Sequence, residues 1–297
     1  MKVSNVPGAS PGVISIIGSG FTGAAAGRGL EHLGHEVIFY DVQWKDLPNF
    51  TQDLDQAIHS SNVSFICVPT PTLSNGDLDI SYLESSITEI GKILRHKNDH
   101  HLLVVKSTVL PTTTEAIVIP ALEKFSGKKA RNSFGICVNP EFMTEISRTW
   151  SDDASSARSF FTEDRIVIGE YDQRSGDLLE EIYKPLGIPT WRVDLKTAEM
   201  IKYAANCMLA TKISYWNEIF LICSNMGIDS QIVAAAAACD PRIGKYGTVC
   251  GKAFGGKCLP KDLKAFISMA RRYHHSVLSE AVDAINETMR RNYGVRE

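Results

Sequence analysis

The hexapeptide Gly18-Ser19-Gly20-Phe21-Thr22-Gly23 leaves few folds open to this chain. It follows the apolar run Val13-Ile14-Ser15-Ile16-Ile17 and opens a small-residue stretch, 21–33, that reads as a helix. A G-x-G-x-x-G turn between strand and helix has a physical use for each glycine. The first makes the tight turn, the second lets backbone approach a pyrophosphate, and the third packs helix on strand. The pyrophosphate then lies at a helix N-terminus, where unpaired N–H groups and the macrodipole favour an anion. A second β-rich run, 36–40, ends in Asp41, 23 residues after Gly18. A carboxylate there accepts from the ribose hydroxyls and repels a 2′-phosphate, so the expected cofactor is NAD rather than NADP, with Lys45 near enough to weaken the preference.

The same alternation continues. Apolar runs at 63–68, 102–105, 134–138 and 165–168 read as strands, and 82–94 and 114–125 as helices. Strands alternating with helices predict an α/β fold with a doubly wound parallel sheet. Beyond Asp194 the texture changes. Residues 197–226 contain neither Gly nor Pro and are rich in Ala, Leu, Ile and Met; Gly227 then ends the run. A helix of that length spans about 45 Å, too long for an ordinary crossover. The remainder, 230–297, reads as helices broken by the glycine-rich segment 244–256. Two domains are therefore expected: 1–195, a Rossmann-type cofactor domain, and 196–297, the long connecting helix with a helical dimerisation and substrate domain. So few residues follow the apolar helix that a homodimer is expected to cover it.

Composition excludes several partners. A formal net charge of −3 over 297 residues offers no basic field for nucleic acid or a membrane surface. No apolar run approaches the roughly 20 residues of a membrane span. The seven cysteines are scattered without a C-x-x-C pair, so neither a disulfide framework nor a metal site is expected, and a reducing cytoplasm fits best. Residues 1–12 lack an apolar core and read as a loose leader rather than a signal peptide.

Four further segments make the chain resemble the UDP-glucose/GDP-mannose dehydrogenase family. They are Thr70-Pro71-Thr72, Lys106-Ser107-Thr108-Val109, Asn139-Pro140-Glu141-Phe142-Met143-Thr144-Glu145, and Phe254-Gly255-Gly256-Lys257-Cys258-Leu259-Pro260-Lys261-Asp262. Lys202 and Asn206 on the long helix, and Asp240-Pro241-Arg242-Ile243-Gly244 before the cysteine loop, fall in the same order.

The resemblance implies NAD-dependent oxidation of a sugar primary alcohol to a carboxylate, with Cys258 as nucleophile through a thiohemiacetal and a thioester. A thiolate is a good nucleophile near neutral pH, and tethering the aldehyde keeps it in place between the two oxidations. Lys202 and Asn206, four residues apart, share one helix face and would stabilise the oxyanion. Glu145 would help activate the hydrolytic water, and Thr108 and Asp262 would hold it. Glu141, Phe142 and Glu145 would flank the sugar, and Gly255 would let the loop backbone approach it. Arg242 would reach a partner subunit's substrate. Gly18, Gly20, Phe21, Thr22, Gly23, Asp41, Thr70, Thr72, Thr108, Glu145 and Lys261 would contact the dinucleotide. The implied substrate is a nucleotide sugar.

Departures from the family pattern bear on the substrate. The family continues into a further domain that clasps the nucleotide, whereas this sequence stops at Glu297. Ala253 stands where a glycine is usual, and the serine-rich stretch 149–162 lacks the expected apolar character. Two other readings stay open. One is a two-electron dehydrogenase of the 6-phosphogluconate or β-hydroxyacid type, which has no use for Cys258. The other is a non-catalytic NAD-binding subunit.

Overall fold

The structure is a computed structural model that describes residues 12–144, 150 and 158–296. The chain begins with β1 (Val13–Ile17), α1 (Phe21–His32), β2 (Glu36–Tyr40), β3 (Phe50–Thr51), α2 (Leu54–His59), β4 (Val63–Ile66), α3 (Ser81–Leu94) and β5 (His101–Val105). A π turn (Thr114–Val118) leads into α4 (Ile119–Ser126), followed by β6 (Phe134–Val138), β7 (Ile166–Glu170), α5 (Gln173–Tyr183) and β8 (Thr190–Val193).

Among the described residues these strands form an eight-stranded sheet in the order β3-β2-β1-β4-β5-β6-β7-β8. The order reverses direction between β1 and β4, and ligands of doubly wound sheets bind at that switch point, outside the carboxyl ends of the strands. β4, β5 and β6 are buried at every position, as strands covered on both faces are. Alternate residues feed two cores. Ile17, Ile66, Leu103 and Val105 pack with α3 and α4 through Leu83, Ile87 and Leu122. Ile16, Phe65, Leu102 and Val104 pack on the other face with Leu30 of α1 and Leu179 and Ile182 of α5.

One expectation needs correction: the sheet is not wholly parallel. β7 runs antiparallel to β6, pairing Cys137 with Glu170, and β8 is parallel to β7. A short β-branched run has the same composition whichever way the chain enters it, so its direction is not written in its pattern. The consequence for the site is direct. The end of β6 and the start of β7 therefore lie together at the carboxyl end of β6, beside the cofactor crevice.

The long helix α6 (Leu195–Met226) is 32 residues. Asp194 caps it, accepting from the Thr197 N–H at 2.9 Å and the Thr197 hydroxyl at 2.8 Å, and Gly227, at φ 70°, ends it. Its buried stripe carries an unusual number of polar side chains: Glu199, Lys202, Asn206, Ser214 and Asn217. α7 (Ser230–Ala237), α8 (Leu259–Ala270) and α9 (Val277–Tyr293) pack around it. A small parallel pair joins β9 (Ala253–Phe254) to β10 (Val295–Arg296). Among the described residues no helix is long and apolar enough to cross a membrane.

Candidate active site

The fingerprint folds as its spacing requires. Gly18 takes φ +93°, and a Cβ there would lie 2.9 Å from the Cys67 carbonyl oxygen. A Cβ on Gly23 would fall 2.0 Å from the Gly18 carbonyl oxygen, so α1 lies against its own turn. Gly20 is different: a Cβ there meets nothing within 4 Å, so its surroundings are open. α1 begins at Phe21 and Thr22 with no side-chain cap and no acidic residue in its first turn, leaving its N–H groups directed at that space. Asp41 stands at the edge of the opening, held by the Ser19 and Gln43 N–H groups at 2.9 Å each. Thr72 Oγ1 is buried with no hydrogen-bond partner among the described residues, and Thr70 donates to the Thr108 carbonyl at 2.8 Å. An open anion-binding turn, a carboxylate at the ribose position and an orphaned hydroxyl together fit a dinucleotide.

A second hollow, about 460 Å³, lies between residues 142–144 and 164–165, the first half of α6 and the loop before α8. Lys202, Asn206, Phe142, Gly255 and Cys258 all line it. Cys258 is the N-cap residue of α8, and Gly256, at φ +74°, turns the loop that delivers it. That loop is anchored from behind. Asn286 of α9 accepts from the Phe254 N–H at 2.8 Å, and Asn217 of α6 accepts from the Gly251 N–H at 2.9 Å and donates to the Lys252 carbonyl at 2.8 Å. Neither asparagine was foreseen, because each acts on backbone far away in sequence.

Lys202 is buried and donates to the Glu141 carbonyl at 2.6 Å, with the Glu141 carboxylate at 3.3 Å. Burial alone would lower its pKa, but the charges of Glu141, Asp262 and Cys258 outweigh it and hold the amine above the ordinary lysine range. Asn206 donates to Asp262 at 2.6 Å, and Lys261 donates to the other carboxylate oxygen at 2.6 Å. Asp262 and Glu141 thus stand behind the wall of the hollow and fix the two groups, Asn206 and Lys202, that form it.

A third layer supports Glu141. Glu163 accepts from the Phe142 N–H at 2.8 Å, and Lys106 donates to Asn139 Oδ1 at 2.8 Å. Burial pushes the Glu163 carboxyl up against the pull of Lys106. Arg165 stacks on the Phe142 ring at 3.8 Å and joins Arg158, Trp150 and Arg296 in lining the hollow; the sequence reading had not included them.

Other expected residues stand elsewhere. Thr108 is half-buried under the cofactor loop and does not line the hollow. Arg242 is also absent from the lining; its side chain is 88% exposed and pairs with Asp240 at 2.6 Å. Gly255 lines the hollow, but the approach that requires glycine is to another strand: a Cβ would fall 2.4 Å from Val295 Cγ1 of β10. Glu145 lies outside the described residues. None of the seven cysteines is in a disulfide. Among the described residues, no three His, Cys, Asp or Glu side chains are grouped to hold a metal ion.

Residues 45–187 match the NAD binding domain of the UDP-glucose/GDP-mannose dehydrogenase family, and residues 196–288 match its central domain. The chain belongs to this family. It is 38% identical over 308 residues to a GDP-mannose 6-dehydrogenase of Pseudomonas syringae pv. tomato, an alignment covering 94% of this chain and 67% of that protein. It is 33% identical to a UDP-glucose 6-dehydrogenase of Haloferax volcanii over 91% of this chain and 68% of the relative. The solved structure of a UDP-glucose dehydrogenase from Pyrobaculum islandicum superposes with a TM-score of 0.87 at 32% identity, covering 97% of this chain and 71% of that one. The chain thus spans about two thirds of the length of these relatives. Membership makes it a dehydrogenase-family protein whose cofactor is NAD.

Proposed function

We propose that the protein oxidises the primary alcohol of a nucleotide sugar to the carboxylate, four electrons in all, with Cys258 as nucleophile. The observation that carries this reading is the convergence of Cys258, Lys202 and Asn206 on one hollow, the latter two fixed by Glu141 and Asp262. Relatives named for GDP-mannose and for UDP-glucose support a nucleotide sugar and leave its base and hexose open.

Two molecules of NAD, bound in turn, would supply the hydride acceptors for the two oxidations. The Lys202 ammonium and the Asn206 amide would bind the substrate oxygen and stabilise the negative charge that grows on it. After the alcohol has become an aldehyde, the Cys258 thiolate attacks its carbon, and the same two donors hold the oxyanion of the thiohemiacetal. Loss of the second hydride leaves a thioester. Water then breaks the carbon–sulfur bond, releasing the carboxylate and returning the thiol. Asp262 orients Asn206 and, with Thr108 and Glu145, is assigned to the hydrolytic step. The positive charge of Lys202 and the start of α8 both favour a thiolate at Cys258.

We assign residues 1–195 to cofactor binding and 196–297 to substrate and association. Met208, Tyr215, Ile222 and Met226 are each at least half exposed at spacings of seven, seven and four along α6, one continuous apolar face. That face supports a homodimer, and the exposed Arg242 nearby supports its reaching a partner's substrate. The chemistry requires a reduced Cys258, which a cytoplasmic location provides.

The test is the yield of NADH per substrate consumed, over UDP-glucose, GDP-mannose and related nucleotide sugars, with Cys258→Ala in parallel. Two NADH per substrate, lost in the variant, is the expected result. One NADH per substrate, unaffected by the substitution, would assign a two-electron dehydrogenase instead. NAD binding without turnover of any sugar would assign a binding subunit.

A further inference from the structure

The cofactor loop and the cysteine helix are joined at a point that the chemistry above does not use. Between β4 and α3 the loop 70–79 folds into a hairpin, bridged from Thr72 to Leu78 and turned at Gly76, φ +88°. Leu73 and Asp77 close it backbone to backbone at 2.8 Å, and the Asn75 side chain donates to Asp77 Oδ2 at 2.9 Å. The other oxygen of Asp77 faces α8. It accepts from the Ser268 hydroxyl and from an Arg272 guanidinium nitrogen, the latter at 2.9 Å. These partners lie 191 and 195 residues away in sequence.

The spacing on α8 gives the contact its meaning. Gly76 approaches the Lys264 carbonyl, its Cβ position 3.8 Å away, so the hairpin touches α8 at 264 and 268, four apart on one helix face, and Arg272 reaches it from the turn just past the end of α8. Lys261 is three residues before Lys264 on the same face, beside Asp262 and one turn from Cys258. The hairpin also carries Thr72, whose hydroxyl is buried without a partner among the described residues, and begins at Thr70, which is bonded to Thr108. One carboxylate therefore ties the loop that faces the dinucleotide to the helix that carries the nucleophile.

We infer that Asp77, Ser268 and Arg272 form a strap that sets the cofactor loop against α8, making Asp77 and Arg272 positioning residues for hydride transfer. The inference rests on the proposed function for the transfer itself, but its effect on cofactor binding does not need turnover. Both Asp77 and Arg272 are partly exposed, so the ion pair is screened by salt and replaceable by another pair of opposite charges.

The experiment compares wild type with Asp77→Ala, Arg272→Ala and the exchanged pair Asp77→Arg/Arg272→Asp. The readouts are the Kd for NAD, the KM for NAD against kcat, the alkylation rate of Cys258 with and without NAD, followed on its peptide by mass spectrometry, and the melting temperature. Each alanine variant is expected to raise the Kd and KM for NAD roughly three- to fivefold, as loss of a partly exposed ion pair allows. NAD should change Cys258 alkylation less in these variants than in wild type, while melting shifts little. The exchanged pair should recover most of the affinity, and about 0.5 M salt should weaken NAD binding in wild type more than in Asp77→Ala. Alanine variants with wild-type Kd, KM and alkylation would overturn the strap. So would a loss of affinity that the exchanged pair fails to recover although it melts as wild type does. If wild type binds NAD and oxidises no sugar, the proposed function falls, and the Kd and alkylation comparisons still decide the strap.

Discussion

Replacing Glu199 by Gln should remove a pH dependence of folding that the structure builds into the start of α6. Glu199 is 2% exposed and receives three hydrogen bonds: from the Thr112 N–H at 2.6 Å, the Thr114 N–H at 2.9 Å and the Thr114 hydroxyl at 2.7 Å. They fix a β-branched residue, Thr112, at φ +78°, a conformation such residues avoid. Burial nevertheless dominates and pushes the carboxyl from 4.5 up to about 7. Below the lower value Glu199 is protonated whether the chain is folded or not, and its contribution to stability is complete. As pH rises to about 7 the unfolded chain loses its proton first, so stability falls; beyond that both states are ionised and the loss is complete. At about 1.4 kcal/mol per pH unit, the ceiling of this loss is about 3 kcal/mol. Glutamine keeps the acceptor for Thr114, loses the one for the Thr112 N–H at a cost that does not vary with pH, and has no proton to lose. Urea denaturation at a series of pH values should show Glu199→Gln gaining on wild type, by up to that amount, between about pH 4.5 and 7.5. A stability difference that stays constant across this range would refute the reasoning.

Two further outcomes test the site and the association. Lys202→Met should lower kcat by about 10²- to 10³-fold through loss of an oxyanion donor, and should also destabilise by about 3–5 kcal/mol because Glu141 is left as a buried, unpaired carboxylate. Adding Glu141→Gln should restore much of the stability, measured by urea denaturation, without restoring turnover. Tyr215→Lys combined with Ile222→Lys, on the exposed face of α6, should convert a dimer to a monomer in sedimentation experiments at micromolar concentration; a wild type that is already monomeric removes the proposed interface.

The cofactor half was legible because its devices are local. The fingerprint, Asp41 and the runs forming β2 and β6 each need only neighbours in sequence, and both strands fall at the predicted residues. The elements that escaped are short or serve distant partners. β3 has two residues and α2 six. α5 was unread because Gly176 interrupts its pattern, and the reason for that glycine lies outside the helix: a Cβ there would fall 1.6 Å from Glu170 Oε2, in the path of the Glu170–Arg192 pair. The site divides in the same way. Cys258, Lys202 and Asn206 could be named from motif and helix spacing. The roles of Asn217, Asn286, Glu163 and Asp77 depend on backbone or side chains tens to hundreds of residues away, a relation that no periodicity records.

Glu199 also makes α6 a lever with its fulcrum next to the chemistry. Lys202 and Asn206 are only three and seven residues beyond that pin, about 4.5 and 10 Å along the axis, whereas Met226 is about 40 Å away. A tilt of about 5° about Glu199 would move Met226 by about 3.5 Å, Asn217 by about 2.4 Å and Asn206 by about 0.9 Å, but Lys202 by less than about 0.5 Å, within the tolerance of a catalytic arrangement. A pull on the far end of the helix by whatever covers its apolar face would therefore leave Lys202 nearly in place and be felt instead at the loop that carries Cys258, through Asn217.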